Sequence, residues 1–334
     1  MLTFGDEDYV MREHAATFTR FFEKYMFLII PCTLVLGFFI SKPLLPFVGW
    51  IPGLFAYVTF VMGLGCGRKH LKGVLTKPAP IIVTLLLAHI AAPLIAYGLG
   101  LLLFGSDSPY TVGLVLFAAI PLGVSSVLWV GMSFGNVALA LTLVIVDSAL
   151  SPFVVPVLIE VFFGADIQFD TLHMFKDLLL LIVLPTFAGM MVYELSGGKF
   201  RDWSAPITQP LAKLCFAGVV LLNAAAIAPQ LQSLRRDLLL VVPSVMILVA
   251  LCYGLGYVAS AILRRKGEGQ SLPVTLAYAS GMRNISVGMV IAMAYFSPQT
   301  AVPVVLGIML QQPMATLQYS IFMRISNYRK GRDA

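Results

Sequence analysis

Ten apolar runs, each about as long as a transmembrane helix, follow one another along the chain. A bilayer core offers no hydrogen-bond partners to an open backbone, so such runs cross it as helices. Hydrophobic residues make up 59% of the 334 residues and charged residues only 11%, which is too little charge for a soluble domain. The runs lie near 25–40, 49–66, 79–104, 110–134, 136–163, 174–195, 207–228, 236–263, 271–296 and 298–323. The sequence predicts an all-α polytopic membrane protein with ten transmembrane helices.

Basic residues are distributed unequally between the two sets of loops. Sixteen Lys and Arg residues lie in the amino-terminal segment, the even-numbered loops and the tail, against four in the odd-numbered loops. Because basic loops stay on the cytoplasmic side, both termini are predicted in the cytoplasm, with the protein in the inner or plasma membrane. Residues 1–24 are expected to form an arm along the membrane surface, and 324–334 a basic tail. These loops explain the surplus positive charge without a nucleic-acid partner.

The ten spans divide into two halves of five. Because five is odd, the two halves enter the membrane from opposite sides, as in inverted-repeat transporters. The predicted repeats are 25–163 and 174–323. The fourth and ninth spans are counterparts, and each contains helix-breaking residues near its middle: Pro121 and Gly123 in one, Gly281 in the other. We therefore expect a broken fourth and a broken ninth helix.

The ninth span also contains a charged residue, Arg283. A guanidinium at that depth is costly unless it faces a water-filled cavity, a partner or a ligand. Two broken helices that meet mid-membrane also direct positive amino-terminal ends into one cavity. We expect this cavity to bind a small organic anion. Its predicted lining is Ser125, Ser126, Arg283, Asn284, Ser286 and Gln311.

Simpler interpretations stay open for several of these residues. Each serine alone fits a hydrogen bond to its own helix, and Gln311 fits an interhelical bond as well as a cavity wall. Arg283 also fits a structural ion pair, which does not exclude contact with a ligand.

Asp147 is the one acidic residue deep in a span, and an unpaired carboxylate there takes up a proton. We rank an ion pair with Arg283 first and a role as a coupling-proton site second. His89, in the third span, is a further candidate, although helix packing is the commoner role of such a histidine. The four cysteines show no CxxC spacing, so neither a metal site nor a cofactor is expected.

Four motifs resemble those of the bile acid:sodium symporter family, part of a superfamily of bile-acid, auxin and arsenite transporters. They are Val61-Met-Gly-Leu-Gly65, Gly135-Asn-Val-Ala-Leu139 followed by Ser151-Pro152, Leu184-Pro-Thr-Phe-Ala-Gly189, and Gly281-Met-Arg-Asn284. The resemblance implies a core domain of spans three to five and eight to ten, and a panel domain of spans one, two, six and seven. It also implies substrate binding beside the breaks, with alternating access by movement of one domain on the other.

Several residues depart from the pattern of the sodium-coupled members. The Ser-Asn pair of those members appears as Ser126-Val127, and the hydroxyls of their fifth span as Ala140 and Val144. The glutamate and glutamine of their second break are replaced by Ala279 and Arg283, and the third-span glutamine by Ala88. These changes argue against sodium coupling. With the guanidinium in place of the cation, facilitated movement or proton coupling through Asp147 or His89 is expected.

The alternative function is efflux of arsenite or a similar oxyanion. It has less support because residues 120–136 contain no cysteine for a thiophilic substrate. An intramembrane enzyme is less expected, since no span carries HExxH or a second acid for an aspartyl dyad. A receptor without transport is also not favoured, because no segment resembles a signalling domain.

Overall fold

The computed structural model describes residues 4–65, 67, 78–164, 170–231, 237–263 and 270–330. This part of the chain is helical and contains no β-strand. The predicted basic loops around 68–77 and 264–269 lie outside the described residues, as do residues 331–334 of the predicted tail.

Among the described residues, seven helices are long and apolar enough to cross a membrane. They are Ser41–Gly63, Ala79–Phe104, Val137–Phe163, Thr171–Leu195, Lys199–Pro229, Leu238–Leu263 and Pro298–Met323. Arg12–Lys24 and Leu28–Phe39, which meet at an angle of 79°, make an eighth if the pair is one span. Phe39, Leu102 and Leu195 are 83–85% exposed, which suits contact with lipid. The protein is a multi-pass helical membrane protein.

The fourth and ninth predicted spans are broken helices. Pro109–Ala119 and Ser125–Met132 form the first broken helix, and residues 120–124 between them are the first break. Ser271–Gly281 and Ile285–Tyr295 form the second broken helix, and residues 282–284 are the second break. The interruptions occur where the sequence predicts them.

The chain divides into two compact units, the first made of residues 1–69 and 179–228 and the second of 70–178 and 229–334. The first unit contains helices Phe4–Lys24, Met26–Phe39, Ser41–Leu44, Ile51–Gly63, Leu184–Leu195 and most of Lys199–Leu231, with a 3₁₀ turn at Leu45–Trp50 and a π turn at Leu179–Val183.

A close helix crossing in the first unit explains two of the family-like motifs. A Cβ on Gly63 would lie 2.2 Å from the Thr186 carbonyl oxygen, and one on Gly189 would lie 2.2 Å from the Phe60 carbonyl oxygen. Only glycine permits backbones to approach this closely. The Met-Gly-Leu-Gly and Leu-Pro-Thr-Phe-Ala-Gly motifs therefore form one packing contact.

The second unit holds both broken helices and every predicted site residue. Its other helices are Ala79–Leu86, Ala92–Phe104, Val137–Phe163, Thr171–Leu178, Leu238–Leu263 and Pro298–Lys330, with a π turn at Leu87–Ala91. Helix Leu238–Leu263 lies along Ser271–Gly281, and the first half of the first broken helix packs against Ala92–Phe104 and Pro298–Lys330. The last helix continues past residue 323, so the predicted tail is helical as far as Lys330.

Candidate functional site

The two breaks are joined to each other by their backbones. The Gly123 amide donates to the Met282 carbonyl at 2.7 Å, and the Asn284 amide donates to the Pro121 carbonyl at 2.7 Å. These two bonds form an antiparallel bridge between Leu122 and Arg283. Groups that lose their helical partners at a break are therefore satisfied inside the protein, as a lipid environment requires.

Gly123 allows this close approach. A Cβ at this position would lie 2.8 Å from the Arg283 carbonyl oxygen, which belongs to the backbone and cannot rotate away. A glycine in the first break is thus a steric requirement of the bridge.

Gln311 completes the second break from the last helix. Its side-chain oxygen accepts the Arg283 amide at 2.7 Å, and its side-chain nitrogen donates to the Arg283 carbonyl at 3.2 Å. The amide thus pairs with both backbone groups of one residue, as a neighbouring strand would. Gln311 is 3% exposed, so it acts as an interhelical hydrogen-bonding group in this conformation.

The Arg283 guanidinium lies among backbone carbonyls. Nη1 donates to the Ile120 carbonyl at 3.5 Å, and Nη2 donates to the Ala88 carbonyl at 3.3 Å. The side chain is 1% exposed and its Nε has no hydrogen-bond partner. The head group is thus enclosed, and the oxygens around it are of the kind that hold hard cations.

The Ala88 carbonyl is free to accept because of a proline. In the π turn Leu87–Ala91, the Ala92 amide bonds to Leu87, five residues earlier. The same spacing assigns the Ala88 carbonyl to residue 93, and Pro93 has no N–H. The chain thereby presents a backbone acceptor inside an apolar helix, and Arg283 uses it.

Asp147 does not form the predicted ion pair with Arg283. One carboxylate oxygen forms a hydrogen bond with Nε2 of His89, and the other accepts the Leu122 amide at 2.5 Å. Asp147 is fully buried and His89 is 6% exposed. The two opposite charges instead bind different groups of the first break: Arg283 binds the Ile120 carbonyl and Asp147 binds the Leu122 amide.

The serines of the predicted lining lie at the starts of the second half-helices. Ser125 and Ser126 begin helix Ser125–Met132, and Ser286 follows the first residue of helix Ile285–Tyr295. Ser125 is partly exposed, whereas Ser126 and Ser286 are buried, and the Ser126 hydroxyl has no hydrogen-bond partner. Asn284, at 8% exposure, precedes the second of these helices. Ser126 thus has an unused polar atom beside the first break.

The sequence matches the sodium bile acid symporter family over residues 51–237, which is more than half of the chain. The chain belongs to this family. The matched region includes the first break and ends before the second. The protein is accordingly a transporter of the sodium bile acid symporter family.

Three relatives show how far the likeness extends. YbaS, an uncharacterized protein of Bacillus subtilis (strain 168), is 35% identical over 290 residues, which cover 87% of this chain and 94% of YbaS. YocS of the same strain, named an uncharacterized sodium-dependent transporter, is 27% identical over 271 residues, covering 80% of this chain and 81% of YocS. A chloroplast protein of Oryza sativa subsp. japonica, named a probable sodium/metabolite cotransporter, BASS1, is 27% identical over 273 residues, covering 81% and 65%.

Four of the positions at which the family resemblance implies side-chain ligands for sodium hold apolar residues, and another holds Arg283. Ala88, Ala140, Val144 and Ala279 are all at most 1% exposed and offer no side-chain oxygen. These replacements and the free backbone groups of the breaks are predictable from the sequence, whereas the Ala88 carbonyl, which lies outside both breaks, was missed. The signal for the Ala88 carbonyl was Pro93, within the apolar third span.

Proposed function

We propose that this protein is a secondary transporter that moves a small organic anion by alternating access. Its ten spans would form two inverted repeats, arranged as a core domain and a panel domain. The protein would lie in the inner or plasma membrane, with both termini in the cytoplasm. Family membership supports transport. The division of the chain into two compact units supports two domains, because each unit contains the spans expected of one of them.

One observation carries the proposal: two broken helices are bonded to each other at their breaks. A membrane protein rarely interrupts two helices at one place without a function for the helix ends that result. The half-helices that start at Ser125 and Ile285 have their positive ends beside the breaks. Such ends favour a carboxylate or sulfonate, and the unpartnered Ser126 hydroxyl supplies a donor close by.

We further propose that transport does not require sodium. The Arg283 guanidinium already lies against the carbonyls of Ala88 and Ile120. A sodium ion bound to the same oxygens would face a fixed positive charge a few ångströms away, where repulsion is strong. Arg283 thus takes the place of a coupling cation, and its direct contact with substrate is not part of this proposal.

A thermal-shift screen tests these statements. The purified protein is heated with pyruvate, succinate, 2-hydroxyethanesulfonate or taurocholate, each as its sodium and its choline salt. We expect at least one anion to raise the melting temperature equally in both salts, since a ligand of the folded state stabilises it by mass action. The same anion should enter proteoliposomes in choline medium.

Two results would count against the proposal. If none of the four anions stabilises the protein or enters proteoliposomes, the anion function is wrong. If stabilisation and uptake occur only with the sodium salts, sodium independence is wrong while anion transport stands. The oxyanion alternative is checked by arsenite resistance of cells that express the protein, and we expect no gain.

A further inference from the structure

The buried pair of His89 and Asp147 has an unused proton-accepting atom. Asp147 uses both carboxylate oxygens, one with His89 and one with the Leu122 amide. With Nε2 of His89 donating to the carboxylate, Nδ1 carries a free lone pair. That Nδ1 is buried and has no hydrogen-bond partner. The imidazole can therefore bind one more proton, which neither the fold nor the bridge between the breaks uses.

The charges around this pair depend on that proton. Among the described residues bonded to the pair or to its neighbours, Arg283 is the only other charged one. A neutral imidazole leaves Asp147 and Arg283 balanced, and a protonated one gives the buried group a net positive charge. The other titratable groups on the helices packed against the π turn are thiols and phenols, which carry no charge at neutral pH: Tyr97, Tyr110, Cys252, Tyr253 and Tyr257.

The His89–Asp147 pair connects the π turn Leu87–Ala91 to the first break. His89 lies in the π turn, next to Ala88, whose carbonyl accepts from Arg283. Asp147 holds the Leu122 amide, which lies between the two bonds of the antiparallel bridge. An imidazolium attracts the carboxylate more strongly than a neutral ring does, so the carboxylate becomes a weaker acceptor for Leu122. Protonation of His89 therefore weakens one hydrogen bond of the first break, the one from the Leu122 amide to Asp147.

From this geometry we propose that His89 and Asp147 form a proton-binding site that couples proton movement to the movement of the anion. This inference rests on the proposed transport function. A hydronium ion from the water on one side transfers its proton to Nδ1 of His89: its O–H bond breaks, an N–H bond forms and a water molecule is left. The added positive charge favours an anion at the nearby half-helix ends. The same N–H bond breaks when the proton leaves to the other side, after which the unloaded site can return.

Infrared titration tests the proton site without any substrate. Spectra of the protein in nanodiscs are recorded as a function of pH for the wild type, His89→Gln and Asp147→Asn. We expect a titrating imidazole and carboxylate signal in the wild type that both substitutions remove. His173→Gln is the matched control, because His173 and Asp177 form a solvent-exposed pair with 3.8 Å between Nε2 and Oδ2. Equal signals in the wild type and in folded His89→Gln would overturn the proton site.

Proton flux in proteoliposomes tests the coupling. The probes are succinate and 2-hydroxyethanesulfonate, the latter because a sulfonate stays ionised and does not leak through lipid as an acid. With one proton per monoanion, each unit of inward pH gradient drives up to about tenfold accumulation. We expect a trapped pH dye to report proton entry with the anion in the wild type and in His173→Gln, and anion movement without proton entry in His89→Gln.

The outcomes separate this inference from the proposed function. Uptake of either probe by the wild type without proton entry would overturn the coupling and leave anion transport standing. A titrating His89–Asp147 pair in a protein that carries none of the anions tested would support the proton site and overturn the transport proposal. If Asp147→Asn fails to fold, His89→Gln alone decides both measurements.

Discussion

The two breaks have the same backbone bonds and opposite side-chain chemistry. Each donates one amide to the other and accepts one in return. The first break contains no charged residue, so a guanidinium and a carboxylate from elsewhere hold its polar groups. The second break contributes that guanidinium and is held by the neutral amide of Gln311. The second break thus supplies a charge that the first break binds, and a substitution at one break should alter the stability of the other.

Removal of Arg283 should have the largest effect on stability. Arg283→Ala leaves the Ala88 and Ile120 carbonyls without a donor and Asp147 without a balancing charge. We expect the free energy of unfolding in mild detergent to fall by about 3 kcal/mol. Lys213→Ala is the control, because Lys213 pairs with Glu23 at 2.8 Å near the surface and should cost less than about 1 kcal/mol. Equal losses for both variants would mean that the first break does not depend on the guanidinium.

Loss of the Gln311 amide should come next. Gln311→Leu leaves the buried amide of Arg283 without a partner and its carbonyl with the Ile285 amide alone, at an expected cost of about 2 kcal/mol. The side-chain oxygen of its neighbour Gln312 accepts from the Trp129 side chain at 3.0 Å, so Gln312→Leu should cost about 1 kcal/mol. Chemical denaturation of the two variants provides the measurement. A larger loss in Gln312→Leu would contradict the view that Gln311 holds the second break.

A methyl group in the first break should weaken the bridge itself. Gly123→Ala forces the two backbones apart, and we expect about 1–2 kcal/mol of destabilisation. Gly131→Ala is matched to it, since the nearest atom to a Cβ there is the Val137 Cγ2 at 3.4 Å. Because Gly131 is an exposed helical residue, its replacement by alanine should leave the stability of the protein unchanged or raise it slightly. Comparable melting temperatures for the two variants would show that the breaks tolerate separation.

The smallest effect is expected at Ser126, and its sign is informative. Because the buried hydroxyl has no partner, Ser126→Ala should be neutral or stabilise by up to about 1 kcal/mol. Ser151 is also buried but donates to the Ser148 carbonyl at 2.8 Å, so Ser151→Ala should destabilise by about 1 kcal/mol. If Ser126 contacts the anion, its variant also loses the anion-dependent rise in melting temperature. Clear destabilisation by Ser126→Ala would reveal a structural role.

The positions of the helices and of both breaks could be predicted from the sequence. Apolar runs define spans in lipid, and Pro121 and Gly281 are strong local signals for an interruption. The partners of the charged residues could not be predicted in the same way. Sequence shows that Asp147 and Arg283 are deep in their spans, but not the direction in which each side chain points. The pairing of Asp147 with His89 is thus not predictable from the sequence, in which helix packing is the commoner role for such a histidine.

Pro93 gives the third span a polar ligand without a polar side chain. Because proline has no N–H, the carbonyl five residues earlier in this apolar helix is free to accept from Arg283. No polar side chain of the third span is needed for that contact. A search for polar side chains would miss Ala88, because its ligand atom is the backbone carbonyl oxygen, which every residue type carries. Substitutions should matter at Pro93, five residues later, because any other amino acid supplies an N–H that competes with Arg283 for the Ala88 carbonyl.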